Sequence, residues 1–420
     1  MRWKASPEDF VVEEEVSLDL SPAGPYAIYR LEKVGRDSLS VRAELARRLG
    51  KPQADVIFPA LKDAVARTVQ WVGVRTGGPA KIAGRGFVAE RVGFADRPPD
   101  PRSLRGNRFT VVLRDLSPTE ARLLPATAAQ LGSSGWPNYF DDQRFGSLVE
   151  GYGPFGRAVL RADDETVLRL YLAVPWMGDP ARVRAFKAEA ARSWGDWDRL
   201  FGRAPVRTNF RSLLTFLRDH PNDFRRAVRL IPARLLLLAV DAYRSWVWNL
   251  AVSRFFEENR PAEFAVTVAG CRLAVPAEPR ENWSATEVPL PHPKASYSPP
   301  WDRLVADLLR AEGLTLADFA GRGRLPDRPA PTRRAIWVRP DGVCFEASSS
   351  PGMGIIRFRL PPGAYGTLLL KVLAARVAAL AADAQHSEEA GRHRPEDHQP
   401  HHRQDEQDHD DGHLDRGFPG

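Results

Sequence analysis

The chain has 420 residues, a net charge of +7 and two cysteines. This length exceeds what one ordinary compact core needs, so it favours two domains with some non-globular sequence. Cys271 and Cys344 are too few for a disulfide framework or a thiolate zinc site, and the first residues lack the apolar core of a signal peptide. We therefore expect a cytoplasmic protein.

The charge is unevenly distributed along the chain. Residues 384–420 carry four arginines and ten acidic residues, and this net −6 against the total of +7 leaves +13 on residues 1–383. Most of these cations are arginines, whose planar guanidinium suits bidentate contact with phosphate and stacking on bases. The composition favours an RNA-binding surface, and ordinary solvated arginines are the alternative.

The first 150 residues alternate between helical and strand patterns. Apolar residues at helical spacing predict a helix over 37–50, which Ser38 or Ser40 could cap and Gly50 would end. β-Branched and aromatic residues predict strands at 56–58, 68–74 and 108–114. Ser117-Pro118-Thr119-Glu120 is a capping box with proline at the first helical position, and it predicts a helix that ends at Gly132.

From about residue 156 to 330 the pattern is mainly helical. Helices are predicted near 164–174, 180–193, 210–219 and 232–257. The longest apolar stretch, 235–240 and its continuation to 252, is interrupted by Asp241 and Arg244 before it reaches the roughly 20 residues that span a bilayer. We therefore predict no membrane segment.

The mixed pattern returns after residue 330. Strands at 334–338 and 343–347 flank Pro340-Asp341-Gly342, which predicts a hairpin, and a strand at 355–360 and a helix at 365–382 follow. We infer an α/β (α+β) fold in which residues 1–155 and 331–383 form one domain and a mainly helical domain, 156–330, is inserted. Residues 384–420 hold seven of the nine histidines and almost no apolar residues, so we predict a disordered tail without a fixed metal site.

Four segments combine residue types that suit chemistry on a nucleic-acid base. They span residues 4–13, 61–70, 135–146 and 357–367, and together they supply one carboxylate beside a lysine, several aromatic rings, an asparagine and arginines. An enzyme that works on a base must unstack it, hold it against an aromatic ring and bind its edge by hydrogen bonds. The chain has no Walker loop, GxGxxG motif, Ser-His-Asp order or His/Cys/Glu cluster. The sequence therefore lacks the motifs typical of nucleotide hydrolases, serine hydrolases and zinc deaminases.

These segments resemble the TruD family of tRNA pseudouridine synthases. The family's Lys-Asp pair followed by Ala-x-Thr-x-Gln matches Lys62-Asp63 and Ala66-Arg67-Thr68-Val69-Gln70. Its Asn-Tyr-Phe…Gln-Arg-Phe-Gly segment matches residues 138–146, and its Lys…Pro-Glu-Asp-Phe-x-Val opening matches residues 4–12. A Leu-Pro-Gly-aromatic segment near residue 365 completes the same order along the chain.

The resemblance implies a role for each matching position. Asp63 corresponds to the catalytic aspartate, and Asn138 would orient the substrate pocket. Phe10, Phe140 and Tyr365 correspond to aromatic residues that line the uridine pocket, and Lys4 matches a basic position of the active site. The sequence departs from the family pattern at several positions. Ala60 stands where a glycine is usual, and Gly366 where an alanine is usual. Tyr26 stands where many members carry histidine, and Asp37-Ser38 replaces an Asn-Thr pair.

The resemblance also implies the fold, the substrate and the reaction. The expected fold is a pseudouridine-synthase catalytic domain interrupted by a TRUD-type insertion. The expected substrate is tRNA, most often at uridine 13 of the D-arm, and the reaction is an isomerisation that needs no cofactor and no obligate protein partner. A non-catalytic RNA-binding or RNA-folding protein on the same scaffold is the alternative.

Overall fold

The computed structural model describes residues 1–62, 65–146, 148–149, 153–176, 178–206, 208–280, 282–323, 325 and 330–392. Residues 1–381 form one compact unit, and a second unit begins at Ala382. Asp63 lies outside the described residues, between Lys62 and Val65. The boundaries predicted for an inserted domain, at about 155 and 330, stay a prediction.

Elements up to residue 154 are mostly strands. They are β1 (Phe10–Val16), β2 (Tyr26–Val34), α1 (Ser38–Leu49), β3 (Val56–Ile57), β4 (Arg67–Arg75), β5 (Lys81–Gly84), β6 (Phe87–Ala95), β7 (Leu104–Leu113), α2 (Pro118–Ser134), β8 (Trp136–Pro137), β9 (Leu148–Val149) and β10 (Gly153–Pro154).

Helices dominate the middle of the chain, and strands return near its end. The middle contains α3 (Phe155–Arg161), α4 (Asp164–Leu172), α5 (Ala181–Arg192), α6 (Trp197–Arg203), α7 (Phe210–Asp219), α8 (Phe224–Val228), α9 (Ala233–Asn259), β11 (Ala262–Val268), β12 (Cys271–Pro276), β13 (Glu287–Pro289) and α10 (Trp301–Ala311). The last elements are β14 (Arg333–Ala335), β15 (Trp337–Val338), β16 (Asp341–Ala347), β17 (Gly354–Leu360) and α11 (Gly366–Arg392).

A nine-stranded sheet joins strands from both ends of the chain. Its order is β16-β17-β7-β1-β4-β2-β6-β5, with the short β3 on β4. The β1–β4 pair is parallel, with Val12 opposite Thr68, and its flanking neighbours run antiparallel. This arrangement confirms the predicted α/β fold, in which residues before 155 and after 330 build one sheet.

A row of buried polar residues divides the hydrophobic core on one face of the sheet. A large cluster contains Phe10, Phe109 and Phe358, and a smaller cluster beneath α1 contains Tyr29, Val41 and Val72. Between the two clusters lie the polar side chains of the central strands and of α1. We call this row the polar seam, and it consists of Glu14, Lys33, Ser38, Thr68 and Gln70, all buried.

Local sequence signals placed the early helices well but misassigned one cap. Helix α1 is capped by Asp37, whose side chain accepts a hydrogen bond from the Ser40 amide at 2.8 Å. Ser38 lies inside the helix instead, because its hydroxyl is bonded to Gln70. Gly50 ends α1 with a φ of 65°, as expected. The capping box of Ser117 and Glu120 is confirmed, but α2 runs to Ser134, two residues beyond the predicted end.

The predicted hairpin around residues 340–342 is wrong. β14 pairs with β13, and β15 pairs with β8. Trp337 in β15 is buried, with its ring centroid 5.5 Å from that of Trp283. Burial of this large ring holds the segment away from β16, which pairs with β17 instead. Tertiary packing therefore overrode the local turn signal.

The helix at the end of the described chain is longer than predicted. α11 continues to Arg392, so residues 384–392 of the predicted disordered tail are helical. The alanines and paired glutamates of this stretch have high helix propensity, which the overall acidic composition concealed. Residues 393–420 lie outside the described part of the chain.

Helix α9 forms the centre of the helical region. Within the described residues it is the one helix long and apolar enough to cross a membrane, but 67% of its most apolar window is buried inside the protein. It packs against α3, α10 and β12. A side chain at Gly156 would place Cβ 2.2 Å from the Ala239 carbonyl oxygen, so this glycine allows α3 to approach α9 closely. Its apolar character is explained by core packing.

Candidate active site

Hydrogen bonds from the polar seam fix the segment that leads to Asp63. The side-chain amide of Gln70, on β4, donates to the Ala60 carbonyl at 3.0 Å. The Ser38 hydroxyl accepts from the Lys62 amide at 3.0 Å and donates to the Gln70 side-chain oxygen at 2.9 Å. The backbone of residues 60–62 is therefore held at both ends by the sheet and by α1.

Glu14 anchors the Lys62 side chain. Its carboxylate is fully buried, lies 3.2 Å from Lys62 Nζ and accepts from the Trp71 amide at 3.0 Å. Lys62 Nζ also donates to Asn107 Oδ1 at 2.5 Å. The lysine of the Lys-Asp pair thus turns into the sheet, and its charge is balanced there by Glu14.

Glu14 and Asn107 were missed by reasoning from the sequence, although a signal for Glu14 was present. Phe10, Val12 and Glu14 alternate along β1 and therefore share the face that packs on the core. A carboxylate on an apolar strand face requires a buried partner. Asn107 gives no comparable signal, because its contact depends on how β7 pairs with β1.

A cavity of about 270 Å³ opens beside this segment. Phe10, Phe109, Lys62 and Tyr365 are among its lining residues. The Phe10 ring meets that of Phe109 edge-on at 6.0 Å, and Phe109 stacks on Phe358 at 4.9 Å. The structure thus brings together Phe10 and Tyr365, two of the predicted pocket residues, next to the residue that precedes Asp63.

Lys4 reaches this region through a cation–π contact. Its Nζ lies 4.4 Å from the centroid of the Phe10 ring. Lys4 has a φ of 59°, which is uncommon for a residue other than glycine. Lys4 is not among the residues that line the cavity, so the structure connects it to the site through Phe10.

Asn138 and Phe140 line a second, neighbouring cavity of about 610 Å³. Gly363 belongs to the walls of both cavities. The rings of Phe140 and Tyr365 lie 6.3 Å apart, so the two cavities are also connected through this aromatic pair. Four of the five predicted substrate-binding residues therefore line two adjoining spaces rather than one, and the fifth, Lys4, contacts Phe10.

Arg334, which the sequence reasoning did not single out, holds these segments together. Its guanidinium donates to Asn138 Oδ1 at 2.7 Å and to the Gly363 carbonyl at 2.9 Å, and it lies 4.2 Å from the centre of the Phe140 ring. Burial lowers the pKa of Arg334 to about 10, so the group stays charged near neutral pH. Burial also raises the pKa of the Tyr365 phenol, which stays neutral there.

The backbone around Phe140 is held from two further directions. Asn249 on α9 accepts from the Phe140 amide at 2.9 Å and donates to its carbonyl at 2.8 Å. The buried Asp141 accepts from Lys371 on α11 at 2.6 Å and also from Thr367. Although burial opposes it, the pKa of Lys371 is raised because Asp141 and Asp142 face it. These contacts fix the orientation of the Phe140 ring.

Gly366, one of the departures from the family pattern, lines the first cavity. A Cβ at this position would lie 2.6 Å from Cε1 of Phe109. The absence of a side chain lets Phe109 occupy its place between Phe10 and Phe358. This departure therefore has a packing explanation.

Asp9, immediately before Phe10, forms a buried ion pair that should make stability depend on pH. Arg114 donates to its two oxygens at 3.0 and 2.7 Å, and these bonds hold the pKa of Asp9 below its usual range. The stabilisation is complete above the carboxyl's unfolded-state pKa of about 4 and is lost as the pH falls through the lower folded-state value. We expect Asp9→Asn to cost about 1–3 kcal/mol of unfolding free energy at pH 7.

Urea denaturation between pH 7 and pH 3 tests this expectation. The difference between wild type and Asp9→Asn should shrink towards pH 3. Glu90→Gln is the matched control, because Glu90 is also paired, with Lys81 at 2.7 Å, but both side chains are exposed. A pH-independent difference for Asp9→Asn would contradict the ion-pair explanation.

No group of three or more His, Cys, Asp or Glu side chains that could hold a metal ion occurs in the described ranges. The donors at the site are instead carboxylates paired with cations, amides and aromatic rings. Aromatic rings and amides of this kind can hold a neutral planar base.

The comparisons with known proteins agree with one another. Residues 1–271 match the family described as tRNA pseudouridine synthase D (TruD). A tRNA pseudouridine synthase D from Aquifex aeolicus is 27% identical over 89% of this chain and 98% of its own length. Relatives carrying the same family name from Methanococcus maripaludis and Halobacterium salinarum are 28% and 32% identical, each over 88% of this chain and over 98% and 92% of their own lengths.

A solved structure shares the fold. The TruD crystal structure from Methanosarcina mazei superposes with a TM-score of 0.63 and 23% identity, over 87% of this chain and 91% of that one. The family match covers more than half of the chain and includes three of the four segments found in the sequence. The chain therefore belongs to the TruD family of tRNA pseudouridine synthases and is an isomerase that acts on tRNA.

Proposed function

We propose that this enzyme converts uridine 13 in the D-arm of tRNA to pseudouridine in the cytoplasm, with Asp63 as its catalytic carboxylate. The observation that carries this proposal is the clamp on residues 60–62 by Gln70, Ser38 and Glu14. Asp63 follows this fixed segment directly in the sequence, and Lys62 lines the aromatic cavity. Positioning of a reactive group by such a rigid shell is what catalysis requires.

The first cavity has the size and lining for one extruded base. Its volume of about 270 Å³ is below the range of about 300–1,000 Å³ typical of drug-sized ligands. Phe10, Phe109 and Tyr365 offer aromatic surfaces, and Asn107 offers a polar group. A uracil ring can stack there while its ribose faces the segment that carries Asp63.

The reaction breaks the bond between C1′ and N1, turns the ring and forms a bond between C1′ and C5. Asp63 acts on the sugar, either by adding to C1′ or by removing a proton from C2′. The detached uracil carries negative charge, which the positive charge of Lys4 beside Phe10 favours. The proton at C5 leaves and N1 gains one, so the overall change is an isomerisation without redox chemistry.

The arginine-rich helices of the middle region provide positive charge that can bind the phosphates of the folded RNA. α5 to α8 carry many exposed arginines, among them Arg182, Arg203 and Arg225. Neutralising phosphates with such side chains makes affinity fall with salt. Folded RNA is recognised mainly by its shape and backbone, which suits a dispersed surface of this kind.

Carbodiimide mapping of pseudouridine in total tRNA, with and without the purified enzyme, tests the proposal. Prefolded tRNA in monovalent salt with a chelator should gain one signal at position 13, and a transcript with cytidine at position 13 is the control. Signals at other uridines alone would contradict the choice of uridine 13. The absence of any new signal would favour the non-catalytic RNA-binding alternative.

A further inference from the structure

We infer that the second cavity binds the nucleotide next to the target uridine, with its base inside and its phosphate at Arg333 and Arg339. The inference rests on the proposed placement of the target in the first cavity. It assigns a function to a space of about 610 Å³ that one extruded uracil would leave empty.

The two cavities are close enough to serve consecutive nucleotides. Residues 361–363 line the second cavity, and residues 363–367 line the first, so a single turn of backbone separates them. When one base of an RNA strand is extruded into a pocket, the neighbouring nucleotides lie at the edge of that pocket, where enzymes of this kind contact them. A neighbouring nucleotide therefore meets the second cavity without further rearrangement of the protein.

The lining of the second cavity suits a planar base. Its inner wall has the apolar groups of Phe140, Leu290, Trp337 and Val338, which are all buried. Ser284 and Thr332 add exposed hydroxyl groups that can bind the edge of a base. An apolar floor with a few polar groups is the usual composition of a small-ligand site.

Charge at the rim suits a phosphate. The lining includes four arginines, at positions 144, 333, 334 and 339, and one acidic residue, Glu287. Two of these arginines are hydrogen-bonded to other side chains of the protein, since Arg334 donates to Asn138 and Arg144 donates to the Ser245 hydroxyl at 2.9 Å. The lining therefore has a net positive charge, and two of its arginines lie at the mouth of the cavity.

Arg333 and Arg339 are the two arginines of the lining that are exposed to solvent. Arg333 is 52% exposed and donates to the Glu287 carbonyl at 2.8 Å, while the Glu287 carboxylate lies 3.9 Å away. Arg339 is exposed, and within the described residues it forms no ion pair with an acidic side chain. Exposed guanidinium groups of this kind are suited to bidentate phosphate contact.

The test combines protein variants with RNA in which single phosphates are neutral. Methylphosphonate replaces, one at a time, the linkages within two nucleotides of the target in a D-arm RNA. For the wild type we expect one linkage to lower kcat/KM about tenfold, mainly through KM. In the Arg333→Ala/Arg339→Ala variant the same linkage should cost less than about twofold, and the salt dependence of binding should weaken by up to about two phosphate contacts.

Arg310→Ala is the matched control, because Arg310 is 75% exposed and lies on α10, outside the lining of the cavity. It should keep the full sensitivity to the neutral linkage. A second RNA with an abasic nucleotide beside the target should also slow the wild type, and full activity on it would contradict binding of the base. Urea denaturation of each variant checks that folding is unchanged.

Two results with the methylphosphonate RNAs would also overturn the inference. Undiminished sensitivity of the double variant at every linkage would show that Arg333 and Arg339 do not bind a flanking phosphate. A fall in kcat with unchanged KM would assign the cavity to the target uridine instead. Turnover of the unmodified RNA by the wild type separates these outcomes from failure of the proposed function, because only the latter abolishes it.

Discussion

Replacing Asp63 with asparagine should lower the single-turnover rate of pseudouridine formation by at least about 10⁴-fold. The amide is nearly the same size as the carboxylate but can neither add to C1′ nor accept a proton from C2′. Binding of tRNA should change little, because affinity for the folded RNA comes mainly from contacts with its backbone. Rapid quenching followed by detection of the modified nucleoside measures the rate, and filter binding measures the affinity.

The matched control for this variant is Asp55→Asn. Asp55 lies in the connection between α1 and β3 and makes a partly exposed ion pair with Arg75 at 3.4 Å, which should contribute little to stability. This variant should turn over at the wild-type rate. Turnover by Asp63→Asn within tenfold of the wild type would refute the assignment of the catalytic carboxylate.

Replacing Glu14 with alanine should have the second largest effect. It leaves the Lys62 ammonium buried without its carboxylate and removes the acceptor of the Trp71 amide. Breaking a buried pair in this way costs about 3–5 kcal/mol of unfolding free energy. Loss of the anchor should also lower kcat by about 10- to 100-fold, because the segment before Asp63 loses one of its three anchors and is held less firmly.

A double variant separates folding from positioning. Glu14→Leu combined with Lys62→Met replaces the ion pair with apolar groups, and such replacements are often neutral or stabilising. It should recover most of the lost stability while kcat stays low and KM for tRNA stays near the wild-type value. Full recovery of kcat together with stability would mean that the pair serves folding alone.

Local sequence signals predicted the parts of this enzyme that depend on neighbouring residues. The capping box at Ser117, the αL glycine at residue 50 and the strand around Gln70 were all readable because each depends on a few adjacent side chains. The family motifs gave the fold class and the reaction. The mispredicted hairpin shows the limit of this approach, since the partner of β16 was decided by burial of Trp337 elsewhere.

The candidate site was only partly predictable for the same reason. Phe10 and Tyr365 were each predicted to line the pocket because each belongs to a motif, and they line one cavity although more than 350 positions separate them along the chain. Arg334 lies in no such motif, and its importance appears only when Asn138 and Gly363 are brought together in space. The division of the predicted pocket residues between two cavities likewise has no signature in the sequence.

The polar seam weakens the cooperativity between the two parts of the sheet. The small cluster beneath α1 meets the large cluster across hydrogen-bonded groups rather than through interlocking apolar side chains. Cooperative opening units in proteins commonly follow such breaks in packing, so α1 with β2 and β4 to β6 can loosen as one foldon while the larger core stays closed. Residues 60–62, which precede Asp63 in the sequence, are bonded to the polar seam, so an RNA that contacts both sides of the seam would join them and suppress this motion.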